Sequence, residues 1–145
     1  MKEHSDYKDM HPNMERYIDK YQLKKTIWNK VVAIDFDATV HKHITKNSDW
    51  TAIADDPITG SREALLKLKS DGWFITIHTA RVIDKATYES VKNWLEKYEI
   101  PYDEIWTHTS KPYADIYIDD RCITFKGNWE ETLDDIKNFK TWKEI

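Results

Sequence analysis

Two apolar runs in this chain stop abruptly at pairs of aspartates. Val31-Val32-Ala33-Ile34 leads into Asp35-Phe36-Asp37, and Ile116-Tyr117-Ile118 leads into Asp119-Asp120. The first run, within a strand from Lys30 to Phe36, has the continuous apolar character of a strand buried on both faces, as in a parallel sheet. Carboxylates are too costly to leave unpaired in such a core. The aspartates therefore belong at the strand ends, and in open α/β sheets that is where sites form.

The rest of the chain alternates in the same way. Strands are predicted over 30–36, 73–79, 102–108 and 114–120, with a fifth over 121–125. Helices are predicted over 60–72, 84–100 and 128–139, from apolar stripes such as Ala64, Leu65 and Leu68, and Tyr88, Val91, Trp94, Leu95 and Tyr98. Gly72 reads as a helix stop, and Asn128 with Glu131 as a capping box. Alternation of this kind argues for an open α/β sheet with helices on its faces. Residues 1–29 read as an extension with a helix from Pro12 to about Leu23, and residues 30–145 as the main domain.

The aspartates bring chemistry with them. Asp35 and Asp37 are two apart, so an undistorted strand would turn both to one side. Asp119 and Asp120 join them if their strand lies beside the first. Carboxylates gathered in one pocket repel each other, and a divalent cation relieves the repulsion. An all-oxygen set of this kind favours Mg²⁺ over zinc. Such a site suits phosphoryl transfer: one aspartate attacks phosphorus, and a second exchanges protons with the leaving group and with water. The transferred group needs donors and a cation, and Thr79 and Lys111 stand where they can supply them.

At this point the chain resembles the haloacid dehalogenase-like (HAD) phosphatases. Asp35-Phe36-Asp37-Ala38-Thr39 resembles their first motif and Ile75-Thr76-Ile77-His78-Thr79-Ala80-Arg81 the second. Lys111 resembles the third and Asp119-Asp120 the fourth. The resemblance runs from about residue 30 to 130. It implies a Rossmann-like three-layer α/β fold with a mostly parallel central sheet. It also implies Asp35 as nucleophile and metal ligand, and Asp37 as acid and base with its backbone carbonyl on Mg²⁺. Thr79 and Lys111 would hold the phosphate, with Ala80 and Arg81 beside them. Asp120 is the preferred metal ligand of the last pair, with Asp119 close by. Ala38 and Ala80 stand where the family usually has glycine, and glycine tolerates close approach and unusual dihedrals better.

The loop over 38–57 and the segment between Thr79 and Lys111 are too short for a large cap domain. An open site is expected, covered by that loop or by a second copy of the chain in a homo-oligomer. Arg81 and Arg121 in "TAR" and "IDDR" resemble 5'(3')-deoxyribonucleotidases and proteins related to the phosphatase domain of polynucleotide kinase. They point to a phosphorylated small molecule, a nucleotide or a nucleic-acid end. Trp50, with His41, Lys42, His43 and Lys46 nearby, is a candidate to stack on a base, against a plain reading as a packed residue in a solvated loop. Arg81 reads equally as a salt bridge supporting the loop. His78 is expected to point away from the site, and Cys122 to be a small buried residue.

Composition narrows the setting. The net charge is -4 and there is one cysteine, so neither bulk attraction to nucleic acid nor an internal disulfide framework is available. The N-terminal stretch lacks the apolar core of a signal peptide, and no apolar run nears the ~18 residues of a membrane span. A cytoplasmic setting with no membrane partner is expected. The leading expectation is a Mg²⁺-dependent phosphatase. Its rival is a binding protein that captures a nucleotide or other phosphorylated ligand without turnover.

Overall fold

The computed structural model describes residues 30–145. The expected helix over 12–23 lies outside the described residues. Four parallel strands form one sheet: β1 (Lys30–Ile34), β2 (Trp73–Ile77), β3 (Glu104–Ile105) and β4 (Ile116–Ile118), in the order β3-β2-β1-β4. Among the described residues, three α-helices accompany them: α1 (Ser61–Ser70), α2 (Lys85–Lys97) and α3 (Trp129–Asn138). A short 3₁₀ turn, Trp142–Glu144, follows. This is the expected α/β, Rossmann-like arrangement, and among the described residues it carries no large cap.

The register explains how one face becomes the core. Val32 lies beside Ile75, and Ile34 beside Ile77, which in turn lies beside Ile105. Neighbours in register point to the same face. All five are buried together with Leu65 of α1 and Val91, Trp94 and Leu95 of α2. Tyr88, Tyr98 and Leu68 are partly buried against that cluster, whereas Ala64 is exposed. The predicted stripe of α2 is thus observed, and that of α1 is narrower than expected.

Helix ends follow local chemistry. Asp84 caps α2 by accepting from Thr87 N at 2.8 Å, and the Thr87 hydroxyl donates back to Asp84. Asn128 caps α3 by accepting from the amides of Glu130 and Glu131. The Glu131 side chain does not complete the expected box, because it pairs with Lys126 at 2.7 Å. Gly72 ends the first helical segment at φ 84°, a conformation that glycine adopts without a Cβ penalty.

The expected fifth strand over 121–125 is absent. Arg121 N turns back onto Asp119 Oδ1 at 2.7 Å, which breaks the extended path immediately after β4. Cys122, expected to be buried with that strand, is exposed. β4 therefore stays at the sheet's edge, and the side chains of Ile116, Tyr117 and Ile118 are partly open to solvent.

The loop after β1 is long but tied down. One carboxylate, Asp55, accepts from Ile44 N, Thr45 N and the Thr45 hydroxyl at 2.6, 2.8 and 2.7 Å. Trp94 of α2 and Tyr98 at its C-terminal cap hold its far end through Asp55 O and Asp56 Oδ1. These anchors fix the loop above the sheet as a compact surface segment.

Candidate active site

The carboxyl ends of three adjacent strands finish level. Ile34 is in register with both Ile77 and Ile118. The ladder then runs one step further on each side: Asp35 N donates to Ile118 O, and His78 N to Ile34 O, both at 2.9 Å. Strand pairing alone thus carries Asp35, His78-Thr79 and Asp119-Asp120 to one place. The chain order reverses there, since β1 leads to β2 on one side while β4 joins on the other.

A cavity of about 840 Å³ opens at this point. Asp35, Asp37, Thr79, Asp119 and Asp120 all line it. Ala38, Ala80 and Trp50 line it as well. Its volume falls in the range of small-molecule sites, which is roughly 300–1,000 Å³.

The four aspartates separate into two groups. Oxygens of Asp35, Asp119 and Asp120 lie within 4.8 Å of one another. Burial, and next the charge of Asp119, push the Asp35 carboxyl up to about 7. Three crowded carboxylates with a strained titration fit a hard divalent cation, which would supply the missing positive charge. Both members of the last pair join the cluster, with the Asp120 side chain 8% exposed and Asp119 also accepting from Arg121 N.

The Asp37 side chain belongs to a different set. β1 ends at Ile34, and the chain turns through Ala38 at φ 62°, so strand alternation does not extend to Asp37. Its Oδ2 accepts from Arg81 Nε at 3.0 Å and its Oδ1 from Arg81 Nη2 at 2.9 Å. His41 Nδ1 lies 2.9 Å and His43 Nδ1 3.5 Å from the same Oδ1. Burial pushes the Asp37 carboxyl up, but the bonds to His41 and Arg81 outweigh it and hold Asp37 below the usual carboxylate range.

Several residues sit differently from the sequence reading. Arg81 is 5% exposed and is not part of the cavity lining. Its guanidinium binds Asp37 and Trp50 O, the latter at 2.9 Å, and it also lies 5.7 Å from the Trp50 ring. These contacts are those of the loop-supporting salt bridge that the sequence also allowed. Lys111 also falls outside the lining, with Nζ 4.2 Å from the Tyr117 ring. Thr79 is buried in the wall, and its hydroxyl accepts from Arg81 N at 3.1 Å.

His78 lines the cavity instead of pointing away from it. The two-residue alternation that placed it elsewhere stops with β2 at Ile77. Burial holds its pKa below the usual imidazole value, against the opposing charge of Asp119. His41, read as part of a solvated loop, is 2% exposed and stacks on Phe36 with ring centroids 5.4 Å apart. Thr107, Thr109, Thr141 and Lys143 also line the wall. The first two fall near the expected strand end, but no sequence signal marked the last two.

Comparison with known proteins points to a nucleotidase family. No individually curated protein and no solved structure is matched by the chain. A family model does match, over residues 6–130, described as 5' nucleotidase, deoxy (pyrimidine), cytosolic type C protein. That span takes in both aspartate pairs, Thr79 and Lys111 in their expected order. With most of its length inside one family model, the chain belongs to this family of HAD-type phosphoric monoester hydrolases.

Proposed function

We propose that this protein is a Mg²⁺-dependent phosphatase that hydrolyses a nucleoside monophosphate through an aspartyl-phosphate on Asp35. One observation carries the reading: Asp35, Asp119 and Asp120 bring their oxygens within 4.8 Å of one another in a cavity that Thr79 also lines. The family's description names a deoxy pyrimidine nucleotide substrate and a cytosolic setting. We carry both to this chain as part of the proposal. Among the described residues, no helix is long and apolar enough to cross a membrane. Nucleic-acid ends, weighed from the sequence, find no support in that description.

Bound Mg²⁺ would supply the charge that keeps Asp35 ionised and draws the phosphate in. Asp35, Asp119 and Asp120 are the side chains that would hold it, with the Asp37 backbone carbonyl beside them. An Asp35 oxygen then attacks phosphorus, and the bond from phosphorus to the leaving oxygen breaks as Asp37, protonated at the outset, passes its proton to that oxygen. Thr79 binds a phosphoryl oxygen. In the second half, Asp37 takes a proton from water, whose oxygen attacks phosphorus and frees Asp35. Arg81 and His41 favour this base role, since both stabilise ionised Asp37.

The same ion pair favours a second reading. An aspartate gripped by arginine is a poor donor to a leaving group, so the cavity would capture a nucleotide without turning it over. Phosphate release from nucleoside monophosphates, with Mg²⁺ and with chelator, separates the two. Metal-dependent release that disappears in Asp35→Asn supports the enzyme. Stoichiometric binding of a nucleotide recovered intact supports capture.

A further inference from the structure

The family match ends at residue 130, but the cavity wall continues past it. Thr141 and Lys143 of the C-terminal turn line the same space as Asp35. Two bonds fasten the turn to the loop that follows β1. Trp142 Nε1 donates to Ala38 O at 2.8 Å, and Lys143 Nζ donates to His43 O at 2.6 Å. The turn is also held internally, with Thr141 N donating to Glu144 Oε2 at 2.8 Å and Glu144 N to Thr141 O at 3.0 Å.

Charge then singles out Lys143. The cavity gathers four aspartates, so a phosphate dianion entering it needs nearby cations. Arg81 is committed to Asp37, and Arg121 Nε lies 3.8 Å from Asp120. Lys111 rests over Tyr117, outside the lining. Among the described residues, Lys143 makes no ion pair. A neutral carbonyl partner leaves its charge uncompensated, and an ammonium has two further N–H donors to offer.

We propose that Lys143 is a substrate-binding residue that contacts the phosphate monoester dianion, and that the Thr141–Glu144 turn forms a wall of the site where larger relatives would use a cap. The inference rests on the phosphatase reading for its ligand class. It does not depend on turnover, because binding can be measured when chemistry is blocked.

The test uses the full chain carrying Asp35→Asn, with Mg²⁺, and calorimetric titration of a deoxynucleoside 5'-monophosphate. Adding Lys143→Met is expected to weaken binding ~10-fold, the scale of one charge-assisted hydrogen bond. Lys143→Arg should recover most of it, and the melting temperature should not move. In the otherwise unaltered chain, Lys143→Met should raise KM by a similar factor and leave kcat within about twofold. Unchanged affinity overturns the proposal. So does a loss that arginine fails to recover and that comes with a lowered melting temperature, since that marks a structural tether. Absence of any nucleotide binding overturns it as well. A wild-type chain that binds nucleotide but releases no phosphate defeats the enzyme reading alone, and the Lys143 comparison still stands.

Discussion

Arg81 grips Asp37 with two parallel hydrogen bonds, Nε to Oδ2 at 3.0 Å and Nη2 to Oδ1 at 2.9 Å. The pair joins the second and first motif segments across 44 residues of chain. Its geometry is the bidentate fork that lysine cannot reproduce. Because the guanidinium also holds Trp50 O, it couples the orientation of Asp37 to the loop over the cavity.

Removing that grip should be costly. Arg81→Ala leaves a half-buried carboxylate without its main partner, and losses for such pairs run to about 3 kcal/mol. Arg81→Lys should recover less than half of the loss. Urea unfolding with the full chain measures both, and a loss below about 1 kcal/mol for alanine would show that the pair contributes little.

The Asp35 carboxyl makes stability fall with rising pH. Its pKa is pushed from the ordinary 3.8 to about 7, first by burial and then by Asp119. Between these values the folded chain keeps a proton that the unfolded chain has released. The stabilising contribution is therefore complete below pH 3.8 and lost as pH rises through about 7. In the metal-free protein, the melting temperature of Asp35→Asn minus that of wild type should grow across this window and flatten above it. A difference that stays constant with pH would refute the shifted titration.

Metal should act on the same groups. Millimolar Mg²⁺ at pH 7.5 is expected to raise the melting temperature of wild type, by an amount that grows with the logarithm of its concentration. Asp120→Asn should abolish most of that rise. Equal stabilisation of wild type and variant would move the cation elsewhere.

Ala38 sits at φ 62°, a left-handed conformation in a position 6% exposed. An L residue there bears strain of roughly 1–2 kcal/mol. Ala38→Gly should be tolerated with stability within about 1 kcal/mol of wild type. Ala38→Val should lose at least about 2 kcal/mol, because a β-branched residue is far less suited to this region. Thermal or urea unfolding of the two variants decides it, and a valine variant as stable as the glycine one would contradict the strain.

Leu95 is fully buried between α2 and the sheet. Leu95→Ala should cost about 2–5 kcal/mol. The same unfolding assay checks it, and an effect under about 1 kcal/mol would mean that the α2 interface is not the principal core.

Much of this protein was written locally. Apolar runs fixed β1 and β2, the stripe of Val91, Trp94 and Leu95 fixed α2, and Asn128 marked the start of α3. The aspartate pairs were legible because a buried run can end in paired carboxylates only where their charge is compensated. What local pattern could not reach lay just beyond the strands. Alternation ends with the strand, so it misplaced His78 and missed the turn that sends Asp37 to Arg81. The strand expected over 121–125 failed for a similar reason: one side-chain bond to the Arg121 amide redirected the chain.

Sequence by itself determined that β1 and the end of β2 are buried and that carboxylates follow β1 and β4, since both depend on residue type and near neighbours. Tertiary structure alone decided how the aspartates divide, with three bringing their oxygens within 4.8 Å of one another and one held by arginine. It also decided that the C-terminal turn closes the wall, because Trp142 meets Ala38 across 104 residues. Contacts at that separation leave no periodic signal: they arise only when packing brings distant segments together.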